Sequence, residues 1–111
     1  MTVPITLQVL AEPSRQAILD LLRDGELPVG ELSARLRMSQ PAVSKHLKVL
    51  RDAGLVGVRA DAQRRLYRIQ PGPLAELDAW LAPYRKFWNA SLDRLEEHLE
   101  RGRPDHGRND T

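Results

Sequence analysis

Ser39-Gln40-Pro41-Ala42-Val43-Ser44-Lys45-His46-Leu47-Lys48-Val49-Leu50, running on to Arg51-Asp52-Ala53-Gly54, is the stretch on which the reading of this chain turns. Ser39 suits an N-cap, because its hydroxyl accepts from the free N–H groups of a first helical turn, and Pro41 is tolerated in that turn. Ala53-Gly54 ends the helix, glycine being free to take a positive φ. At about 100° per residue, Val43, Leu47, Leu50, Val49 and Ala53 gather on one side and Gln40, Pro41, Ser44, Lys45, Lys48 and Arg51 spread over the other. No carboxylate interrupts the polar side before Asp52.

Upstream, Val29, Leu32 and Leu36 mark one face of a shorter helix that stops at Arg37-Met38, after a Glu26-Leu27-Pro28 connection. Two short helices joined by a turn of three to four residues are thus expected. Downstream, Val56, Val58 and Ala60 alternate with Gly57 and Arg59, and Arg65, Tyr67 and Ile69 alternate back, which predicts a β-hairpin. Its Asp61-Ala62-Gln63 tip lacks the Asn-Gly or glycine of a two-residue turn, so a longer, mobile loop is expected. This is the layout of a winged helix-turn-helix.

The flanks are helical. Ile5 to Ala11 reads as a short first helix, and Pro13 opens a second in which Ala17, Ile18, Leu21 and Leu22 recur before Gly25. From Leu74, an apolar stripe of Leu77, Leu81, Tyr84, Trp88, Leu92, Leu95 and Leu99 wants a partner helix. Pro83 inside it predicts a kink or break. Gly102 to Thr111 has no apolar side chain and is expected to be disordered. The fold expected is mainly α with a small β-hairpin: one winged helix-turn-helix domain over residues 1–101, and a tail over 102–111. It pairs as a homodimer through its N- and C-terminal helices, with Leu7, Leu10, Tyr84, Trp88, Leu92, Leu95 and Leu99 at the interface.

Composition narrows the function. The 111 residues are 41% hydrophobic and 29% charged, the profile of a foldable chain, and the length suits one domain. The absence of cysteine excludes disulfides, thiolate metal sites and a cysteine nucleophile. No run approaches the roughly 18 apolar residues of a membrane span. Met1 to Ala11 has neither a basic leader nor a small-residue cleavage site, so a cytoplasmic location is expected. The net charge of +2 is unevenly spread: residues 37–68 hold eight basic and two acidic side chains, a net +6, between two segments of net −2. A basic segment between acidic ones suits a polyanion such as double-stranded DNA, although a solvated basic face has the same signature.

A helix lying in a major groove roughly 12 Å wide needs side chains that donate to base edges and phosphates. Gln40, Ser44 and Lys45 meet that need, with Lys48 and Arg51 placed for phosphates and Ser39 and Pro41 at the entering end. Wheel position alone does not separate this from a solvated face; the wing's Arg64, Arg65 and Arg68 favour DNA. Arg65 shares a strand face with Tyr67 and Ile69, so one tip arginine is a candidate to cover core instead. His46, at the edge of the apolar side, is read first as a packed imidazole with one backbone hydrogen bond and second as a DNA contact.

The run 39–50 closely resembles the recognition helix of the ArsR family of repressors. Glu12-Pro13-Ser14-Arg15 with Ile18-Leu19, Val29-Gly30-Glu31-Leu32, and Gly54-Leu55-Val56 leading into Arg64-Arg65-Leu66-Tyr67 agree with it. The resemblance covers about residues 8–100 and implies a winged-helix dimer that binds a palindromic operator, often at its own promoter, and is released by a signal. Metal-sensing relatives carry Glu-Leu-Cys-x-Cys where this chain has Glu31-Leu32-Ser33-Ala34-Arg35. Trp80-Leu81 and Tyr84-Arg85-Lys86-Phe87-Trp88 resemble the non-metal branch. The last helix offers Asp78, Asp93, Glu96, Glu97, His98 and Glu100 as metal ligands, and a lone histidine among glutamates reads as a solvated face. No metal and no cofactor are expected, and no motif identifies an inducer.

Catalysis needs an acid-base pair or nucleophile in a cleft, and His46, His98 and His106 fall on a DNA-facing helix, a charged helix and the tail. The serious rival is a protein-interaction module that keeps the winged helix as scaffold. RNA binding lacks an exposed aromatic platform beside the basic face. Trp80, Tyr84, Phe87 and Trp88 are read as seam or core rather than a ligand pocket.

Overall fold

The computed structural model describes residues 4–102. Its elements run α1 (Ile5–Leu10), α2 (Pro13–Leu22), β1 (Leu27–Pro28), α3 (Val29–Leu36), α4 (Gln40–Asp52), β2 (Val56–Asp61), β3 (Arg64–Ile69) and α5 (Gly72–Gly102). They divide into two compact units, Met1–Ala79 and Trp80–Thr111.

In the first unit, Ile18, Leu19 and Leu22 of α2, Leu32 of α3, and Val43, Leu47 and Leu50 of α4 are buried together with Val9, Leu55 and Val56. Burying each such side chain contributes about 1.5–3 kcal/mol, and that shared core sets the angle between α3 and α4. The two short helices need local closure as well. Arg15 Nε donates to the Val9 carbonyl at 2.6 Å and Gln16 Nε2 to that of Leu10 at 2.6 Å, giving partners to carbonyls that α1 leaves open at its end. Glu12 caps α2, its carboxylate accepting from Ser14 N–H at 2.7 Å; this bond holds the carboxyl below its ordinary range.

Three residues, Arg37, Met38 and Ser39, join α3 to α4. Arg37 takes the left-handed conformation at φ 57°, so that the Met38 N–H reaches the Ser33 carbonyl at 3.2 Å while the Ser33 hydroxyl donates to the Met38 carbonyl. Ser39 caps α4 as its sequence indicates, accepting from Ala42 N–H at 3.2 Å. At the other end Gly54, at φ +77°, lets the Leu55 N–H return to the Leu50 carbonyl at 2.9 Å, with Leu50 and Leu55 both buried.

Four expectations are corrected. The sheet has three antiparallel strands in the order β1-β3-β2, because Leu27 and Pro28 pair with Tyr67 and Leu66 rather than merely connecting helices. Pro28 is allowed there because β1 is an edge strand. The hairpin loop is the two residues Ala62 and Gln63, closed by the Asp61–Arg64 pair, and Ala62 supplies the positive φ (57°) usually left to glycine. An Ala62→Gly protein is therefore expected to gain about 0.5–1 kcal/mol in urea unfolding; equal or lower stability would contradict the strained turn. Val49 is 38% exposed, since it lies about 120° round α4 from Val43, at the limit of the packed side. Finally, of the kink or break expected at Pro83 the break does not occur: α5 runs on through Pro83, which costs the helix one internal hydrogen bond.

Gly102, assigned by sequence to the tail, is the last residue of α5; the rest of the expected disordered tail lies outside the described residues. In the second unit Tyr84, Trp88, Leu92, Leu95 and Leu99 are exposed, as is Phe87 (72%), and the Trp80 and Tyr84 rings stand 5.2 Å apart. On α1, Leu7 and Leu10 are half-buried, Leu10 against the chain's own core, and Ile5 is 61% exposed.

Candidate nucleic-acid interface

Burying Val43, Leu47 and Leu50 turns the opposite side of α4 outward. Ser39, Gln40, Pro41, Ser44, Lys45, Lys48 and Arg51 are all exposed. Beside this helix stands the hairpin, with Arg64 and Arg65 exposed at its outer end. The structure thus brings nine of the ten candidate DNA-contacting residues onto accessible surface of one unit, with His46 half-buried. The His46 imidazole makes no hydrogen bond among the described residues, so the expected backbone partner is absent; it borders an apolar depression lined by Arg15, Ala42, Lys45 and Val49.

The charge count looks different once the partners are known. Lys48 pairs with Asp52 at 3.1 Å and Arg64 with Asp61 at 3.1 Å. Arg59 makes a two-pronged contact with Glu26, 33 residues away, its Nη2 at 2.8 Å and its Nε at 2.9 Å from the carboxylate. Lys45, Arg51 and Arg65 are exposed and have no ion pair among the described residues. Arg65, a candidate to cover core, is instead exposed and borders a depression shared with Arg51, Val58, Arg59 and Ala60.

The Arg59 guanidinium donates to Glu26 and holds its carboxyl below the ordinary carboxylate value, helped by nearby Arg68 and opposed by Asp61. A depressed carboxyl stabilises the fold above its unfolded pKa, and that contribution is lost as pH falls through the lower folded value. Glu26→Gln should therefore unfold at lower urea than the parent at pH 7, with the gap closing below about pH 4. A gap of constant size across that range would count against the linkage.

Sequence reasoning missed Tyr67 as a surface residue. It is half-buried against the core yet lines a concavity with Ser44, Leu47, Lys48 and Arg51. Its alternation with Ile69 showed the strand face but not that α4 lies alongside. At the two positions where metal-sensing relatives carry cysteines, Ser33 closes the helix end and Arg35 pairs with Glu31 at 3.3 Å. Among the described residues, no three His, Asp or Glu side chains gather to hold a metal ion, and no helix is long and apolar enough to cross a membrane.

Comparisons with known proteins agree with this geometry. Residues 12–58 match the family described as bacterial regulatory protein, arsR family. The chain is 46% identical over 85 residues to the HTH-type transcriptional regulator Rv2034 of Mycobacterium tuberculosis, covering 77% of each protein. It is 43% identical over 75 residues to the biofilm growth-associated repressor of Agrobacterium fabrum, covering 68% of this chain and 64% of that one, so it spans just under two thirds of that relative. Among solved structures, a possible transcriptional regulator for arsenical resistance superposes with a TM-score of 0.68 at 41% identity, over 87% of this chain and 97% of the other. The three-stranded wing, the capped α4 and these likenesses lead to one conclusion: the chain belongs to the ArsR family of winged helix-turn-helix regulatory proteins.

Proposed function

We propose that the chain is a transcriptional repressor that binds double-stranded DNA in a sequence-specific way, as a homodimer on an inverted-repeat operator. The observation that carries this is the exposed side of α4, rich in donors and without a carboxylate before Asp52, standing beside a basic wing. Gln40, Ser44 and Lys45 read bases; Ser39, Pro41 and His46 flank them at the groove; Lys48, Arg51, Arg64 and Arg65 hold backbone phosphates. Residues 1–101 act as one DNA-binding domain. The protein works in the cytoplasm, catalyses no reaction, needs no cofactor and belongs to the non-metal-sensing branch.

Pairing rests on the stripe Tyr84, Trp88, Leu92, Leu95 and Leu99, exposed in the single chain, and on the half-buried Leu7 and Leu10 of α1. A two-fold dimer places two copies of α4 in successive major grooves roughly 34–36 Å apart and occludes a promoter that contains the site. Fluorescence anisotropy with duplex from upstream of the gene against a scrambled duplex, at two salt concentrations, tests the reading. Preference that survives the higher salt supports it. Equal, salt-labile binding to both, repeated with duplexes selected from a random pool, would overturn it in favour of a protein-interaction module.

A further inference from the structure

The concavity lined by Ser44, Leu47, Lys48, Arg51 and Tyr67 runs along the flank of α4 and shares only Ser44 with the base-reading set. Residues 44, 47, 48 and 51 follow one another at helical spacing along its flank, and Tyr67 closes the opposite side from β3. Leu47 is buried and forms an apolar floor. Of the four remaining lining residues, two are cations and two carry hydroxyls, and none is acidic. Asp52 stands at the margin, holding Lys48 at 3.1 Å in the free protein. Neither the Tyr67 hydroxyl nor the Arg51 guanidinium has a partner among the described residues. Arg51 also borders the next depression along the wing, with Arg65, which has no ion pair among the described residues, so the positive potential continues beyond the concavity.

At about 180 Å³ the space falls below the roughly 300–1,000 Å³ of pockets that enclose drug-sized ligands. Its donors suit one tetrahedral oxyanion, and the macromolecule that presents such groups in a row beside a recognition helix is DNA. We infer that this cleft between α4 and the wing seats one phosphodiester of the DNA backbone in each half-site. Arg51 carries its charge, and Tyr67 donates through its hydroxyl. Lys48 exchanges Asp52 for the same phosphate. Tyr67 thereby fixes how deeply α4 sits in the groove, a positioning role for a residue otherwise occupied in packing. This rests on the DNA-binding reading above and assigns it a specific contact.

The test uses the full chain and an operator selected from a random duplex pool by the parent protein, with single methylphosphonates placed in turn along one half-site. One position is expected to weaken the parent about tenfold. Arg51→Ala should show a similar loss on the unmodified operator and almost none further at that position, and its salt slope should fall by about 0.9 for each contact removed. Tyr67→Phe, which keeps the ring in the core, should lose about threefold to tenfold on the unmodified operator with its salt slope unchanged, because a neutral donor releases no counterion, and should lose less than the parent at the same position, where Arg51 still meets the charge. An operator bound tightly with no position coupled to both Arg51 and Tyr67 would overturn the phosphate seat alone. Failure of the pool to yield any preferred duplex would overturn it together with the DNA-binding reading.

Discussion

A protein carrying Leu92→Asp and Leu95→Asp is expected to sediment as a monomer and to lose operator affinity by about 100-fold or more, while its helix content changes little and its unfolding midpoint falls and no longer depends on protein concentration. Both leucines are exposed in the single chain, at 57% and 52%, so in the monomer the substitution replaces solvent-facing apolar surface by solvent-facing charge. In a paired seam the same carboxylates would be buried opposite their symmetry mates, at a cost no small interface offsets. The affinity loss follows from linkage of two half-sites: when one α4 is bound, the second binds as an intramolecular event, and that advantage is commonly 10²–10⁴-fold. Sedimentation velocity and anisotropy on the same samples check the result. A monomer that retained parental operator affinity would remove the dimer from the mechanism.

Lys45→Ala should lower affinity for the selected operator by about 10-fold to 100-fold, with a much smaller loss on random duplex. Lys45 is exposed in the first turns of α4 and has no ion pair among the described residues, so no internal contact is disturbed when it is removed. A good side-chain contact to a base edge discriminates by about 1–3 kcal/mol. Arg64→Ala, at the wing tip, is expected instead to weaken both duplexes alike and flatten the salt dependence, since a phosphate contact carries no sequence information. Its effect is further reduced because Asp61 already partners Arg64 in the free protein. The ratio of operator to random affinity across these two variants separates the roles. An unchanged ratio in Lys45→Ala would take this lysine out of base reading.

Much of this was readable along the chain. The faces of α4 follow from a repeat that a single helix imposes on its own residues, and both of its ends follow from local chemistry: a serine hydroxyl accepting from Ala42 N–H and a glycine at positive φ. The hairpin strands showed themselves by alternation. Val49 was misplaced because a residue near the edge of a packed arc is decided by what stands beside it, here the open depression with Arg15 and His46. Strand β1 went unseen because two residues, one of them proline, carry no periodicity; only the pairing with Leu66 and Tyr67 makes them a strand. The tip was expected to be long because Ala62 is not glycine, yet the β2–β3 register pairs Asp61 with Arg64 and leaves a two-residue loop in which Ala62 takes the left-handed conformation at about 1 kcal/mol.

The helix-turn-helix and wing, the absence of cysteine chemistry and the concentration of positive charge between residues 37 and 68 are written along the chain, because periodicity, caps and composition are properties of neighbours. Which of those charges remain available depends on how the elements pack. Arg59 is engaged by a carboxylate 33 residues away, while Arg51 is left open beside Tyr67 of another element. A charge acts over a few ångströms, and folding alone sets which groups come that close.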